Sequence, residues 1–144
     1  MCEREPIMSE QQNLAEQIRK AGFIFTCGNG GSAANAEHFS NDLFKKGYKA
    51  ICLNSNVSVM TMIANDYGYS GIFSRQLETY AIEGDLLITI SCSGTSSNII
   101  AALVKAREMR IKTYEFETFK DGDRNFGLLE DKHLKFAHAV AKLL

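Results

Sequence analysis

Short apolar runs of strand length alternate with longer stretches of helical period along almost the whole chain, and this alternation constrains the fold more than any other feature. Runs at 22–27, 49–53, 85–91 and 111–117 read as strands. Between and after them, 32–46, 57–64, 72–81, 96–109 and 128–144 carry apolar residues at helical spacing. A first helix over 9–21 opens with Ser9 as its cap and presents Leu14, Ala15, Ile18 and Ala21 on one side. Strands separated by helices call for right-handed crossovers between parallel strands. The expected fold is therefore α/β: a doubly wound parallel sheet of four strands with helices on both faces. In such sheets ligands gather at the carboxyl ends of the strands, where strand order reverses, so the loops after strands carry the functional argument.

With 144 residues, 45% of them hydrophobic and 23% charged, the chain is expected to form one domain over 1–144 without a disulfide or structural metal. A net charge of −1 with interspersed Lys and Arg argues against a nucleic-acid partner. No apolar run approaches the roughly 18 residues of a membrane span. The start, MCEREPIMSEQQ, lacks the apolar core of a secretory signal, so the expected location is cytoplasmic and membrane-free. Cys2, Cys27, Cys52 and Cys92 form no CxxC pair and read as free thiols, three of them in or at the ends of apolar runs.

The first strand runs into Cys27-Gly28-Asn29-Gly30-Gly31-Ser32 and directly into a helix. Glycines there permit positive φ and close backbone approach, and the helix start attracts an anion. Gly28, Gly30 and Ala33 match a dinucleotide fingerprint, but the second strand ends Cys52-Leu53-Asn54-Ser55 without the carboxylate that would hold a ribose. A dinucleotide is therefore not expected.

The third strand ends in Ser91-Cys92-Ser93-Gly94-Thr95-Ser96-Ser97-Asn98 and again opens a helix. Such a run of hydroxyls and backbone N–H groups at a dipole end suits a phosphate, and it exceeds what a helix cap alone requires. Cys92 would be a nucleophile only if the helix start lowered its pKa, and no histidine is near it in sequence. On the helix after the first strand, His38 and Asp42 stand four apart on one face, where they can share a metal or a proton. The closing helix carries Glu130, His133 and His138, and only the fold could bring them to the first pair.

Four segments, CGNGGSAANAEHFSNDL, IANDYGYSGIFSRQLE, GDLLITISCSGTSSNII and, more loosely, EDKHLKFAHAV, resemble the phosphoheptose isomerases, a family within the SIS phosphosugar-binding domains. The resemblance implies a flavodoxin-like sheet, a homo-oligomer (tetramer or dimer), and isomerisation of sedoheptulose 7-phosphate to D-glycero-D-manno-heptose 7-phosphate for bacterial surface polysaccharides. It places substrate contacts at Asn29, Gly30, Gly31, Asn65, Asp66, Ser91, Cys92, Ser93, Ser96 and Glu130, with Cys92 standing where the family usually has Thr. It further implies zinc held by His38, Asp42, Glu130 and His138, with Asp42 as catalytic base and His138 as acid. Asp42 and Glu130 replace the family's Glu and Gln. The resemblance also admits a second reading, a non-catalytic SIS protein that binds phosphosugars or the replication initiator.

The chain departs from the family between Glu117 and Glu130, where 118–129 is shorter than the family's loop, helix and fifth strand. A four-stranded sheet with an exposed edge and a differently docked last helix is expected. Apolar residues on the N-terminal helix, together with that edge, are expected to drive self-association.

Overall fold

The computed structural model describes residues 3–4 and 6–144. Four parallel strands, β1 (Ile24–Gly28), β2 (Ala50–Cys52), β3 (Leu86–Ile90) and β4 (Lys112–Glu115), form one sheet in the order β2-β1-β3-β4. Six helices connect and cover them: α1 (Glu10–Lys20), α2 (Gly31–Lys45), α3 (Val57–Tyr67), α4 (Ser74–Tyr80), α5 (Ser97–Glu108) and α6 (Phe126–Leu143). A single 3₁₀ turn, Tyr69–Gly71, joins α3 to α4. The four-stranded sheet and its helices on both faces agree with the expectation from sequence. Cys2 lies outside the described residues, and the other three cysteines are free and buried.

Alternation along the central strands divides the core in two. Ile24, Leu86, Ile88 and Ile90 pack with α1, α2 and α6, while Phe25, Cys27 and Leu87 pack with α3, α4 and α5. Central β1 and β3 are buried at every position, as parallel strands covered on both faces must be. β4 is an edge, and Lys112, Thr113 and Glu115 are exposed.

Helix α1 corrects one expectation. Ser9 caps it in a reciprocal capping box with Gln12. Its apolar side, however, is not left for a partner: Leu14, Ala15 and Ile18 are fully buried in the same cluster as Ala137 and Val140 of α6. The amphipathic pattern announced a covered face, but the cover comes from the chain's own last helix.

β1 and β3 are neighbours although β2 intervenes in sequence, so the order reverses between them. Gly28 ends β1 at this point, and a Cβ there would lie 2.5 Å from the Ser32 carbonyl oxygen and 2.8 Å from that of Ile90. Beyond the end of β2, Asn54 continues the ladder with its side chain: Gly28 N–H donates to Asn54 Oδ1 at 3.1 Å and Asn54 Nδ2 donates to the Gly28 carbonyl at 2.9 Å. The position where a dinucleotide fold would hold its ribose acid is thus spent on backbone pairing.

Candidate functional site

Two loops flank the reversal point. After β1, Gly30 takes φ 56° and passes the chain into α2 without any side-chain cap, and Ser32 N–H donates to the Asn29 carbonyl at 3.0 Å. After β3, Ser91 Oγ accepts from Gly94 N–H at 3.0 Å and Ser93 Oγ accepts from Thr95 N–H at 3.2 Å, shaping a turn that ends at Ser96. Ser96 is the N-cap of α5 and makes no side-chain capping bond among the described residues. The first N–H groups of α5 thus carry no Ser96 cap, and the positive end of a helix dipole of this kind suits an anion.

Polar side chains tie the two loops together. Asn29 and Asn98 exchange reciprocal amide hydrogen bonds of 2.9 and 2.8 Å, and Tyr69 Oη donates to Asn29 Oδ1 at 3.1 Å. Asn98 is buried. Neither Asn98 nor Tyr69 was singled out as a site residue by sequence reasoning. The only signal was an amide in the first turn of α5 where apolar residues follow. Asn65 and Asp66 sit exposed on the last turn of α3, with Asn65 Nδ2 donating to Asp66 Oδ1 at 2.9 Å.

Cys92 is buried beneath its loop, 3.9 Å from Ser32 Oγ. Burial raises its thiol pKa above the ordinary value; the Ser32 hydroxyl opposes this and the Glu130 charge adds to it. A thiol held protonated is a poor nucleophile, so the helix start does not activate it. Phe119 N–H donates to the Cys92 carbonyl at 2.8 Å, so the shortened segment after β4 lies across this loop.

The helical spacing of Gly31, Asn35, His38 and Asp42 makes one stripe on α2, and α6 packs along it. At one end Asn35 Nδ2 donates to the Glu130 carbonyl at 3.0 Å, and the Glu130 carboxylate occupies the space that a Cβ on Gly31 would need. At the other end His38 Nε2 lies 3.0 Å from His138 Nε2, 3.5 Å from Asp42 Oδ2, and Asp42 Oδ2 is 3.9 Å from His138 Nε2. Two ring nitrogens at 3.0 Å require one to donate and the other to accept, so the pair holds a single proton between them. Two imidazoles and a carboxylate, with donor atoms all within 4.8 Å of one another, fit a divalent cation in that proton's place.

Of the four residues implied as metal ligands, the structure gathers three. Glu130 stands apart, seven residues up the α2 stripe from His38, a separation of roughly 10 Å at the helical rise. There its charge lies near Cys92 and the β3 loop. His133, the other histidine of α6, turns the other way: it is buried, and Nε2 donates to the Glu117 carbonyl at 2.6 Å. No helix among the described residues is long and apolar enough to cross a membrane.

Comparison with known proteins places this geometry. The SIS domain profile matches residues 2–116. A phosphoheptose isomerase of Aliarcobacter butzleri is 35% identical over 161 aligned positions, covering 98% of this chain and 85% of the relative. That alignment is longer than the chain, so the relative carries residues this chain lacks. A phosphoheptose isomerase of Helicobacter pylori is 42% identical, covering 76% of this chain and 60% of its own length. The solved phosphoheptose isomerase of Neisseria gonorrhoeae superposes with a TM-score of 0.85 at 29% identity, covering 92% of this chain and 81% of that one. The chain belongs to the SIS-domain family, among the phosphoheptose isomerases.

Proposed function

We propose that the chain is an aldose–ketose isomerase that converts sedoheptulose 7-phosphate to D-glycero-D-manno-heptose 7-phosphate through an enediol. The observation that carries this reading is the convergence of His38, Asp42 and His138, brought together from two helices. A scaffold that only bound sugars would not need a carboxylate and two imidazoles in mutual contact. Enediol chemistry needs that set: a base for the proton beside the carbonyl and a group that moves protons on the oxygens.

Ser91, Ser93 and Ser96, with the backbone N–H groups that include Cys92, hold the phosphate at the start of α5. Asn29, Gly30 and Gly31 line the sugar, and Asn65, Asp66 and Glu130 complete the contacts. Ser32 touches the phosphate loop through Cys92, and His38 lies six residues further along α2, roughly 9 Å away at the helical rise. That separation matches the reach of an extended seven-carbon sugar phosphate. Binding energy from the phosphate then fixes the position of the reacting end. Asp42 takes the proton from the carbon beside the carbonyl. His138 delivers and removes protons at the oxygens.

Zinc fits the trio. Around tetrahedral zinc with bonds of about 2.0–2.1 Å, two donors stand roughly 3.3 Å apart, and the observed separations of 3.0, 3.5 and 3.9 Å bracket that edge. Held there by His38, Asp42 and His138, zinc would polarise the substrate carbonyl; the proton-carrying role of His138 belongs to the metal-free site, since a ligating Nε2 has no proton to give. Titrating zinc into the chelator-treated protein is expected to raise the melting temperature and to restore isomerisation. In His38→Ala the rise in melting temperature is expected to vanish, and a full rise in that variant would remove His38 from the ligand set.

A homo-oligomer completes this reading. His38 and His138 are about half exposed, at 48% and 47%, which leaves the reacting end open for a second copy to close. Light scattering at micromolar concentration is expected to give a dimer or tetramer, and a monomeric mass would count against a shared site. A cytoplasmic location and a supply of heptose to surface polysaccharides accord with this substrate. The function itself is tested by incubating the zinc-loaded protein with sedoheptulose 7-phosphate and detecting the aldose, which no zinc-free His138→Ala sample should form.

A further inference from the structure

On the far side of the sheet from β2, the chain leaves an edge and a groove that the isomerase reading does not use. Among the described residues β4 pairs with no strand but β3. In a parallel ladder successive residues turn their backbone groups to opposite sides. Phe116 N–H donates to the Thr89 carbonyl, so Tyr114 and Phe116 face β3 while Thr113 and Glu115 face outward. His133 covers the next outward carbonyl, that of Glu117. Among the described residues the open stretch is therefore short and defined: the N–H and C=O groups of Thr113 and Glu115.

A groove of about 540 Å³ runs beside this edge, between β4, α6 and the start of α1. Tyr114 and Phe136 stack there at 6.2 Å, and Phe116 meets both edge-on at 6.2 and 5.0 Å. Tyr114 is held in place by donating its hydroxyl to Glu10 Oε2 at 2.9 Å. Glu10, Glu115 and Glu117 line the groove against Lys132 as its one ammonium among the described residues. Lys120 reaches Glu117 only at 3.8 Å, and both side chains are well exposed.

We propose that the β4 edge and this groove dock an extended protein segment in which apolar and basic residues alternate. The pleat dictates the alternation. A strand added at β4 would turn every second side chain onto the Tyr114 and Phe136 rings, and the intervening ones toward the face that carries Thr113, Glu115 and Glu117. Backbone bonds to Thr113 and Glu115 would set the register, as in strand addition generally. A second copy of this chain is the poorer occupant. Pairing two β4 edges across a two-fold axis sets outward residues against outward residues, which places Glu115 beside Glu115, Glu117 or Thr113 of the copy and in none of these registers beside a positive charge. Basic side chains supply that charge.

The test uses the full chain and two acetylated, amidated peptides, Val-Lys-Val-Lys-Val-Lys and Val-Glu-Val-Glu-Val-Glu, followed by amide hydrogen exchange and heteronuclear NMR. The lysine peptide is expected to slow exchange at the Thr113 and Glu115 amides and to shift the Tyr114 and Phe136 signals, with the glutamate peptide weaker by about tenfold or more. The double substitution Glu115→Lys, Glu117→Lys should reverse the preference while leaving isomerisation and its zinc dependence unchanged. Both positions are exposed, and Glu115→Gln, Glu117→Gln serves as the milder pair, expected to abolish the preference. Equal binding of both peptides, or no protection by the lysine peptide at millimolar concentration, would overturn the proposal. Protection that grows with protein concentration in the absence of peptide would also overturn it, by assigning the edge to a second copy.

Discussion

Replacing Asp42 by Asn is expected to lower kcat for isomerisation on the order of 10²–10⁴-fold while leaving substrate affinity nearly unchanged. The amide has the shape of the carboxylate and keeps an oxygen toward the histidines, but it cannot accept the proton from the sugar carbon. Asp42 is largely shielded, with 23% of its side chain exposed, and its Oδ2 lies 3.5 Å from His38 Nε2 and 3.9 Å from His138 Nε2. The phosphate loop is built from other elements, so phosphate-ester binding measured by calorimetry should persist. Asp42→Glu separates placement from charge: it restores the length of the family's usual residue, and a shift near 1 Å in a catalytic group changes rates by about 10²-fold. Steady-state kinetics at saturating zinc checks both variants. Activity of Asp42→Asn within a few-fold of the parent would eliminate Asp42 as the base.

Gly28→Ala is expected to be the most destabilising small substitution in the chain. Its Cβ would enter within 2.5 to 2.8 Å of backbone atoms of Ser32 and Ile90, which cannot rotate aside as a side-chain tip can. Overpacking against fixed backbone costs about 3 kcal/mol, a fall in melting temperature of roughly 10 °C for a domain of this size. The same shift would pry the β1 loop from the β3 loop and disturb the Asn29–Asn98 pair, so activity should fall further than stability alone requires. Gly127→Ala is the control. Gly127 lies in the first turn of α6, where the closest atom to an added Cβ is Asn125 Oδ1 at 3.8 Å, and alanine should stabilise by up to about 1 kcal/mol. Thermal unfolding of the two variants should therefore move in opposite directions.

Every strand and α-helix was legible in the sequence because each carries its own periodicity and, at several ends, its own cap, whereas the 3₁₀ turn Tyr69–Gly71 is too short to show a period. Ser9 and its capping box, and the glycines that admit positive φ at the loops, are local signals that need no tertiary context. The His38 and Asp42 pair was equally visible, since four residues apart on a helix is a local relation. The contact with His138 was not, because it depends on α6 lying alongside α2. Resemblance to a family supplied that pairing in advance, and the same resemblance set Glu130 beside them. In the structure Gly31 offers a space without a Cβ at the opposite end of the α2 stripe, and the Glu130 carboxylate rests there. Asp85 shows the same limit. It reads as the start of a strand, yet its carboxylate accepts from the Phe23 and Ile82 N–H groups and so fastens the entrance of β1 to that of β3. Nothing local marks such a residue, because both partners are fixed only when the strands pair.

The covered face of α1 gives the converse lesson. Its amphipathic pattern correctly announced burial of Leu14, Ala15 and Ile18, but a pattern names no partner, and α6 of the same chain supplies it. Residues whose exposure does invite a second copy, such as Phe44 and Val57, are scattered over helices that the sequence read as ordinary layers.

The central claim, enediol chemistry at the His38, Asp42 and His138 cluster, is tested most directly by isotope exchange. Zinc-supplemented protein is incubated with sedoheptulose 7-phosphate in deuterium oxide, and the sugar is followed by NMR. Appearance of the aldose with deuterium at the carbon beside the carbonyl, lost in Asp42→Asn, is the expected result. Neither product nor exchange, with the sugar phosphate still bound, would contradict the assignment and leave a phosphosugar-binding SIS domain in its place.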